Sequence, residues 1–174
     1  MVLLYNTFMP IKKLSPEILR QHKGISFTGV TTSFFCHDGH GKLFFTKRSN
    51  QTRDEHGRWD PGGGGLKHNQ SLVDNTLREI KEEYDAVPIN LEFLGYSDVF
   101  RTNTDGEPTH WLSMCFVAQI NPDDIHINEP EMVDDYGWFT LDDLPNPLHS
   151  QFDVVMKKFG PQLREMIGEN NTAE

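Results

Sequence analysis

Residues 61–86 constrain this chain more than any other stretch. A glycine-rich turn, Pro61-Gly62-Gly63-Gly64-Gly65, runs within a few residues into a segment carrying Arg78, Glu79, Glu82 and Glu83. That segment predicts a helix. Ser71 is a favourable N-cap, and Asp74 three residues on makes a shortened capping box. Val73, Leu77, Ile80 and Tyr84 recur at helical spacing as an apolar stripe. Glu79, Glu82 and Glu83 stand at i, i+3 and i+4 on a face roughly opposite that stripe. Three carboxylates held so close repel one another unless a cation lies between them, and an all-oxygen donor set suits a hard ion such as Mg²⁺. Arg78, one turn from Glu82, is placed to orient it and offset its charge.

Taken alone, Arg-Glu-Ile-Lys-Glu-Glu reads as a solvated helix face, and a glycine run alone reads as a flexible turn. The two at fixed separation, with Trp59 five residues before Gly64, carry more. The stretch resembles the Nudix box, G-x5-E-x7-R-E-U-x-E-E-x-G-U with U a bulky aliphatic residue. Gly64, Arg78, Glu79, Ile80, Glu82 and Glu83 match it at the right spacing, and Trp59 and Gly63 stand where the family has a Trp and a Gly. Two positions depart. Gln70 replaces the first Glu of the box, keeping a hydrogen-bond acceptor but losing the charge. Asp85 replaces the last Gly, just past the helix, where Asp tolerates the left-handed conformation better than most residues.

The order of elements fits one α/β domain over residues 1–174, with an N-terminal extension to about residue 24 and a polar tail from about residue 168. Ser15-Pro16-Glu17 marks a helix start. Phe27 to His37 and Lys42 to Lys47 read as strands of a hairpin about Asp38-Gly39-His40-Gly41. Leu91 to Phe100 and Trp111 to Ile120 read as two more strands, and Tyr136 to Thr140 as a short one. Leu141 to Leu144 reads as a brief helical turn. Ser150 to Ile167 reads as a closing amphipathic helix that Gly160-Pro161 would break or kink. The resemblance implies the α/β/α sandwich with a mixed β-sheet of Nudix proteins.

The resemblance also implies the chemistry: Mg²⁺-dependent hydrolysis of a pyrophosphate bond in a nucleoside diphosphate joined to another group, with Mn²⁺ a substitute metal. Glu79, Glu82, Glu83 and the Gly63 carbonyl are the implied metal ligands. The general base in such proteins is a box Glu or an acidic residue on a later loop; of Glu129, Glu131 and Asp134, Glu131 is favoured here, although that stretch reads equally as a solvated loop. Before the glycine loop, Lys47, Arg48, Arg53 and Arg58 form a basic cluster able to pair with phosphates, or simply to stand as surface charge. Arg101, His110 and Trp111 flank the turn at 102–108; Trp111 can stack on a base, or sit in the core as strand-initial tryptophans commonly do. Arg48, Arg58 and Trp111 are the substrate-binding candidates. His149 alone supports no catalytic role.

A formal net charge of −10 argues against a surface for nucleic-acid polymers but not against a small nucleotide whose phosphates a metal screens. Cys36 and Cys115 lie in apolar runs and form no disulfide framework, which fits a reducing cytoplasm. The apolar start, Met1 to Pro10, precedes rather than follows Lys12 and Lys13, the wrong order for a signal peptide. No apolar run is long enough to span a bilayer. A homodimer is left open. The alternative to an enzyme is a Nudix-fold nucleotide-binding or regulatory module with little turnover, a reading that rests on Gln70.

Overall fold

The computed structural model describes residues 14–103 and 105–168. The apolar start at 1–10 and the tail after Gly168 fall outside them. A short helix α1 (Pro16–His22) is followed by strands β1 (Gly29–His37), β2 (Lys42–Arg48), β3 (Trp59–Asp60) and β4 (Gly63–Gly65), helix α2 (Leu72–Tyr84), strands β5 (Asn90–Thr102), β6 (Pro108–Gln119) and β7 (Val133–Thr140), and helix α3 (Ser150–Met166). The seven strands form one mixed sheet whose main order is β3-β2-β1-β6-β5, with β4 pairing β1 and β7 pairing β2. β1 and β6 run parallel over nine residue pairs, and the other pairings are antiparallel.

Adjacent residues along the central strands point to opposite faces, and each face has its own core. Phe35, Phe45 and Val117 pack under Phe152, Val155, Leu163 and Ile167 of the α3 region. Phe34, Phe44 and Phe116 pack under Ile80 and Tyr84 of α2. The result is an α/β/α sandwich with both cysteines buried and free.

Three expectations are corrected. The β1–β2 hairpin is real only at its tip, where His37 pairs with Leu43. Beyond it the strands diverge, β1 toward β4 and β2 toward β7, and that splay makes room for the glycine loop. Helix α3 runs unbroken through Gly160-Pro161; the bond Pro161 cannot make falls among the exposed residues Lys157 and Pro161, while buried Gly160 and Leu163 hold the helix to the core. Residues 141–144 make a plain turn and no helix.

One further correction bears on the site. Trp59, Ile80 and Tyr84 are buried as expected, but Val73 is 48% and Leu77 37% exposed. α2 is rotated about its axis relative to the apolar stripe, and its buried face is Asn75, Thr76, Ile80 and Tyr84. Asn75 explains the rotation. Its amide donates to Thr32 Oγ1 (2.9 Å), and its carbonyl accepts from the Lys67 amide (3.1 Å) and from Arg78 (2.8 Å). A fully buried amide satisfied on both ends fixes the helix against the loop more tightly than two edge aliphatics could.

Candidate active site

The glycine loop lies over β1, with Ser33 opposite Gly63 and Thr32 opposite Gly64. Thr31 Oγ1 donates to the Gly64 carbonyl at 2.8 Å. Gly62 has φ +116°, and a Cβ there would strike the Phe34 ring. At Gly64 the backbone is ordinary, but a Cβ would occupy the place of the Glu79 carboxylate. Glycine is needed at Gly64 because a side chain from the next helix fills the space. The start of α2 follows from its cap: Ser71 Oγ accepts from the Asp74 amide at 3.0 Å. Its end is Asp85 in the left-handed region (φ 50°), bonded back to Lys81.

The rotation of α2 turns Glu79 and Glu83 inward and leaves Glu82 half-exposed. Arg78 gathers the first turn of the cluster. It pairs with Glu82 and with Glu79 (2.6 Å), and its Nε donates to Gln70 Oε1 at 3.1 Å. Gln70 therefore keeps the contact with Arg78 that a glutamate there would make. Among the described residues Glu83 has no such cation. It accepts from the Gly63 amide at 3.3 Å, while burial, Asp60 and Glu79 push its carboxyl well above the usual range, with Glu129 adding to the effect. Burial, Glu131, Glu82 and Glu79 likewise raise Glu129. Among the described residues no three acidic or histidine side chains already converge on one point. What the loop does have is an excess of negative charge from oxygen donors around Glu83, and a hard divalent ion held by Glu79, Glu82, Glu83 and the Gly63 carbonyl fits that donor set.

Three connected hollows open from this point. An inner groove of about 220 Å³ is lined by Glu83, Glu129, Asp60, Gly63 and Arg48. A middle cavity of about 270 Å³ runs along the glycine loop to Arg101 and Trp111. An outer cavity of about 670 Å³ continues past Trp111 to α1 and Arg58.

The remaining sequence candidates are distributed along this path. Arg48 lines the inner two hollows and is held by Asp54 (3.1 Å) and Asp60 (2.8 Å). Arg58 lies at the outer cavity, paired with Glu55 (3.2 Å) and donating to the Leu148 carbonyl (2.8 Å). Trp111 is half-buried between the middle and outer cavities, so it is not a core residue. Glu131 is displaced from its expected place. The 3₁₀ turn Pro130–Met132 leaves its side chain exposed, with only its backbone carbonyl engaged by Ser49 Oγ (2.6 Å), and Glu129 faces the groove instead. His149 is buried beside Arg101 (3.4 Å). Lys23, Asp60, Asn75 and Gln151 belong to the site or its support without having been singled out from sequence. Of these only Asp60 carried a signal, standing between Trp59 and the glycine run.

Comparison with known proteins agrees with the geometry. The family model described as the NUDIX domain matches residues 28–163. A MutT NUDIX hydrolase from Burkholderia pseudomallei superposes with a TM-score of 0.65 at 25% identity, over 75% of this chain and 97% of that one. The NUDIX domain of Shewanella oneidensis NrtR, complexed with ADP ribose, gives 0.61 at 20% identity, over 86% and 99%. The MutT protein of Methanosarcina mazei Go1 gives 0.57 at 16%, over 83% and 96%.

Proposed function

The chain belongs to the Nudix family, and from that premise we propose that it is a Mg²⁺-dependent pyrophosphohydrolase acting on a small nucleoside diphosphate derivative. One observation carries the reading. Glu83 sits against the glycine loop among Asp60, Glu79 and Glu129, and among the described residues no side-chain cation pairs with it. A carboxylate crowded by others and without an ion pair of its own is costly to a fold that does not use it.

The protein's own residues divide the work. Glu79, Glu82, Glu83 and the Gly63 carbonyl would hold the metal, and Arg78 keeps Glu79 and Glu82 in place. When bound, Mg²⁺ or Mn²⁺ would neutralise phosphate oxygens and acidify the attacking water. Glu129, which lines the groove, would be the residue placed to accept a proton from an attacking water, and burial with its acidic neighbours raises its carboxyl toward the range in which a general base works. Arg48, locked between Asp54 and Asp60, offers a fixed guanidinium edge to the phosphates. Arg58 and Trp111 meet the part of the substrate beyond them. The binding-only alternative rests on Gln70, whose bond to Arg78 supports an assembled box.

The test is a panel of nucleoside triphosphates, nucleotide sugars, ADP-ribose and dinucleoside polyphosphates, assayed with Mg²⁺, with Mn²⁺ and in chelator. Turnover with metal is expected on at least one substrate, falling by roughly 100-fold or more in Glu83→Gln. Undiminished turnover in excess chelator overturns the proposal.

A further inference from the structure

Helix α2 leaves part of its sheet face bare. It packs over β1 and β4, with Glu79 against Gly64 and Glu83 bonded to Gly63 on its carboxylate side. β6 pairs with β1 along its whole length, so β4 lies on the other edge of β1, and the opposite side of α2 looks out over β6 and β5. That side carries Val73 and Leu77. Asn75, between them, bonds to Thr32, and Thr32, Met114 and Tyr96 stand in one row across β1, β6 and β5. The two aliphatics therefore form a wall beside β6. Phe93, Tyr96 and Phe100, all 50% exposed or more, form the floor with the half-buried Leu112 and Met114. The five exposed side chains present on the order of 500 Å² of apolar surface, which is large for a monomer.

This surface is not suited to an added strand. β5 ends the sheet, but Lys158 donates to the Tyr96 carbonyl at 2.6 Å, with its ammonium 4.4 Å from the Tyr96 ring, and a bulge breaks the register between Phe93 and Gly95. Both devices guard an edge. An open apolar corner between a helix and a sheet suits an amphipathic helix instead, and α1 is such a helix. Leu14 and Leu19 stand at its N′ and N4 positions with Ile18 beside them. They are 52%, 43% and 41% exposed, and no residue of α1 is buried. The end of α1 is fastened to its own chain, Lys23 donating to the Leu66 carbonyl (2.8 Å) and Gly24 accepting from the His110 amide (2.8 Å), while its apolar side stays in water. Charge favours the pairing of this helix with the corner of another copy. Chains of net charge −10 repel one another in general, but α1 and its exit carry Arg20 and Lys23 against Glu17, and Asp74 and Asp98 rim the corner.

We propose that two copies form a two-fold dimer in which α1 of each lies in the α2–β5 corner of the other, with Leu14, Ile18 and Leu19 against Val73, Leu77, Tyr96 and Phe100. Two-fold symmetry makes the same contact twice. With the α1 side chains included, each copy gives up roughly 700 Å², close to one partner's share of a standard interface. Arg20, Gln21 and Lys23 also line the outer cavity, so the partner's corner fixes one wall of the site.

The experiment is sedimentation equilibrium on the full chain over a range of concentrations, with wild type, Ile18→Glu, Phe100→Glu and an equal mixture of the two variants. Wild type is expected at the mass of two chains, with a Kd in the micromolar range or below. Each variant alone is expected to associate at least tenfold more weakly. The mixture is expected to recover part of the association, because the intact α1 of Phe100→Glu meets the intact corner of Ile18→Glu and one of the two contacts survives. Wild type that stays monomeric at about 100 µM, or variants that dimerise as wild type does, overturns the proposal. Monomeric variants that do not associate on mixing overturn the pairing of α1 with the corner. If a glutamate variant fails to unfold cooperatively, Ile18→Ala and Phe100→Ala replace it; each is expected to weaken the dimer about tenfold, and an unchanged Kd overturns the proposal. Mass is read without turnover, so the result is independent of the pyrophosphohydrolase reading.

Discussion

Gly64 and Glu79 share a volume that only one of them can fill. Because Gly64 has an ordinary backbone conformation, Gly64→Ala introduces no strain of its own and acts through the displaced carboxylate. The expected outcome is a thermal midpoint within a few degrees of wild type and a kcat lower by about 100-fold, since an ångström of misplacement is enough for that. Unfolding and activity measured on the same preparation check it; equal damage to both would mean the glycine serves the fold. Gln70 gives the opposite kind of test. Its bond to Arg78 is neutral on one side, and Gln70→Glu would make it charge-assisted. Activity should rise about threefold, some 0.7 kcal/mol of barrier, with the fold intact, as paired kcat/KM values on one substrate would show; a fall would mean the glutamine is adapted to this site. At this scale the box residues were legible, because their spacing alone puts Arg78 within reach of Glu82. Glu129 was not separable from Glu131: the choice depends on a single 3₁₀ turn that rotates one carboxylate into the groove and the other into water.

Among the elements, α2 shows both how far a pattern carries and where it stops. Ser71 and Asp85 marked its ends correctly, since caps are local chemistry. Its rotation was not legible, because it is set by Asn75 finding Thr32 forty-three residues away. Five of the seven strands were found within a few residues by their apolar runs; the short β3 and β4 at the glycine turn were not, nor was the splay of the β1–β2 hairpin, since it depends on which third strand each one meets. In sequence the loop at 49–58 offered only the basic candidates Arg53 and Arg58, yet it is fastened to α3. Glu55, in the left-handed region at φ 55°, accepts from the Ser150 amide (3.2 Å) and hydroxyl (2.7 Å) at the start of that helix, and pairs with Arg58. Burial alone would raise the Glu55 carboxyl, but Ser150, His149 and Arg58 outweigh it and bring it below its ordinary value near 4.5. A lowered carboxylate pKa means that the unfolded chain binds the proton more tightly. The stabilisation is therefore present above the ordinary value and is lost as pH falls through the lowered one. Glu55→Gln should cost about 1 kcal/mol, or roughly 2–4 °C, at neutral pH. The wild-type and variant midpoints should converge below pH 4.5; a constant gap down to acid pH would show that charge is not what holds the loop.

For the whole molecule, the question is where a chain of net charge −10 keeps the charge it cannot disperse. Most acidic side chains are on the surface, where water screens them. Glu79, Glu55 and Asp60 are partly buried but paired with arginines; Glu83 is partly buried, crowded by Asp60, Glu79 and Glu129, and among the described residues unpaired. Such an arrangement lowers stability until a cation arrives, so the metal should act as a ligand of the folded state. At a Mg²⁺ concentration 100-fold above its Kd, the gain is about 2.7 kcal/mol, or roughly 5–10 °C for a chain of this length. General screening of a −10 protein would also raise the midpoint, so wild type alone does not isolate the site. Glu83→Gln does. The amide oxygen can still accept from the Gly63 amide, so the variant keeps the hydrogen bond and loses only the repulsion. In chelator it should therefore unfold at the same temperature as wild type or a few degrees above it. In Mg²⁺ wild type should gain more than twice what the variant gains, so the difference between the two proteins shrinks or reverses. Thermal unfolding of both proteins in chelator, in Mg²⁺ and in a matched ionic strength of NaCl separates the two contributions. A variant less stable than wild type in chelator would mean that the Glu83 carboxylate is a structural bond of the fold. Equal gains in Mg²⁺ would place the cation somewhere other than the glycine loop.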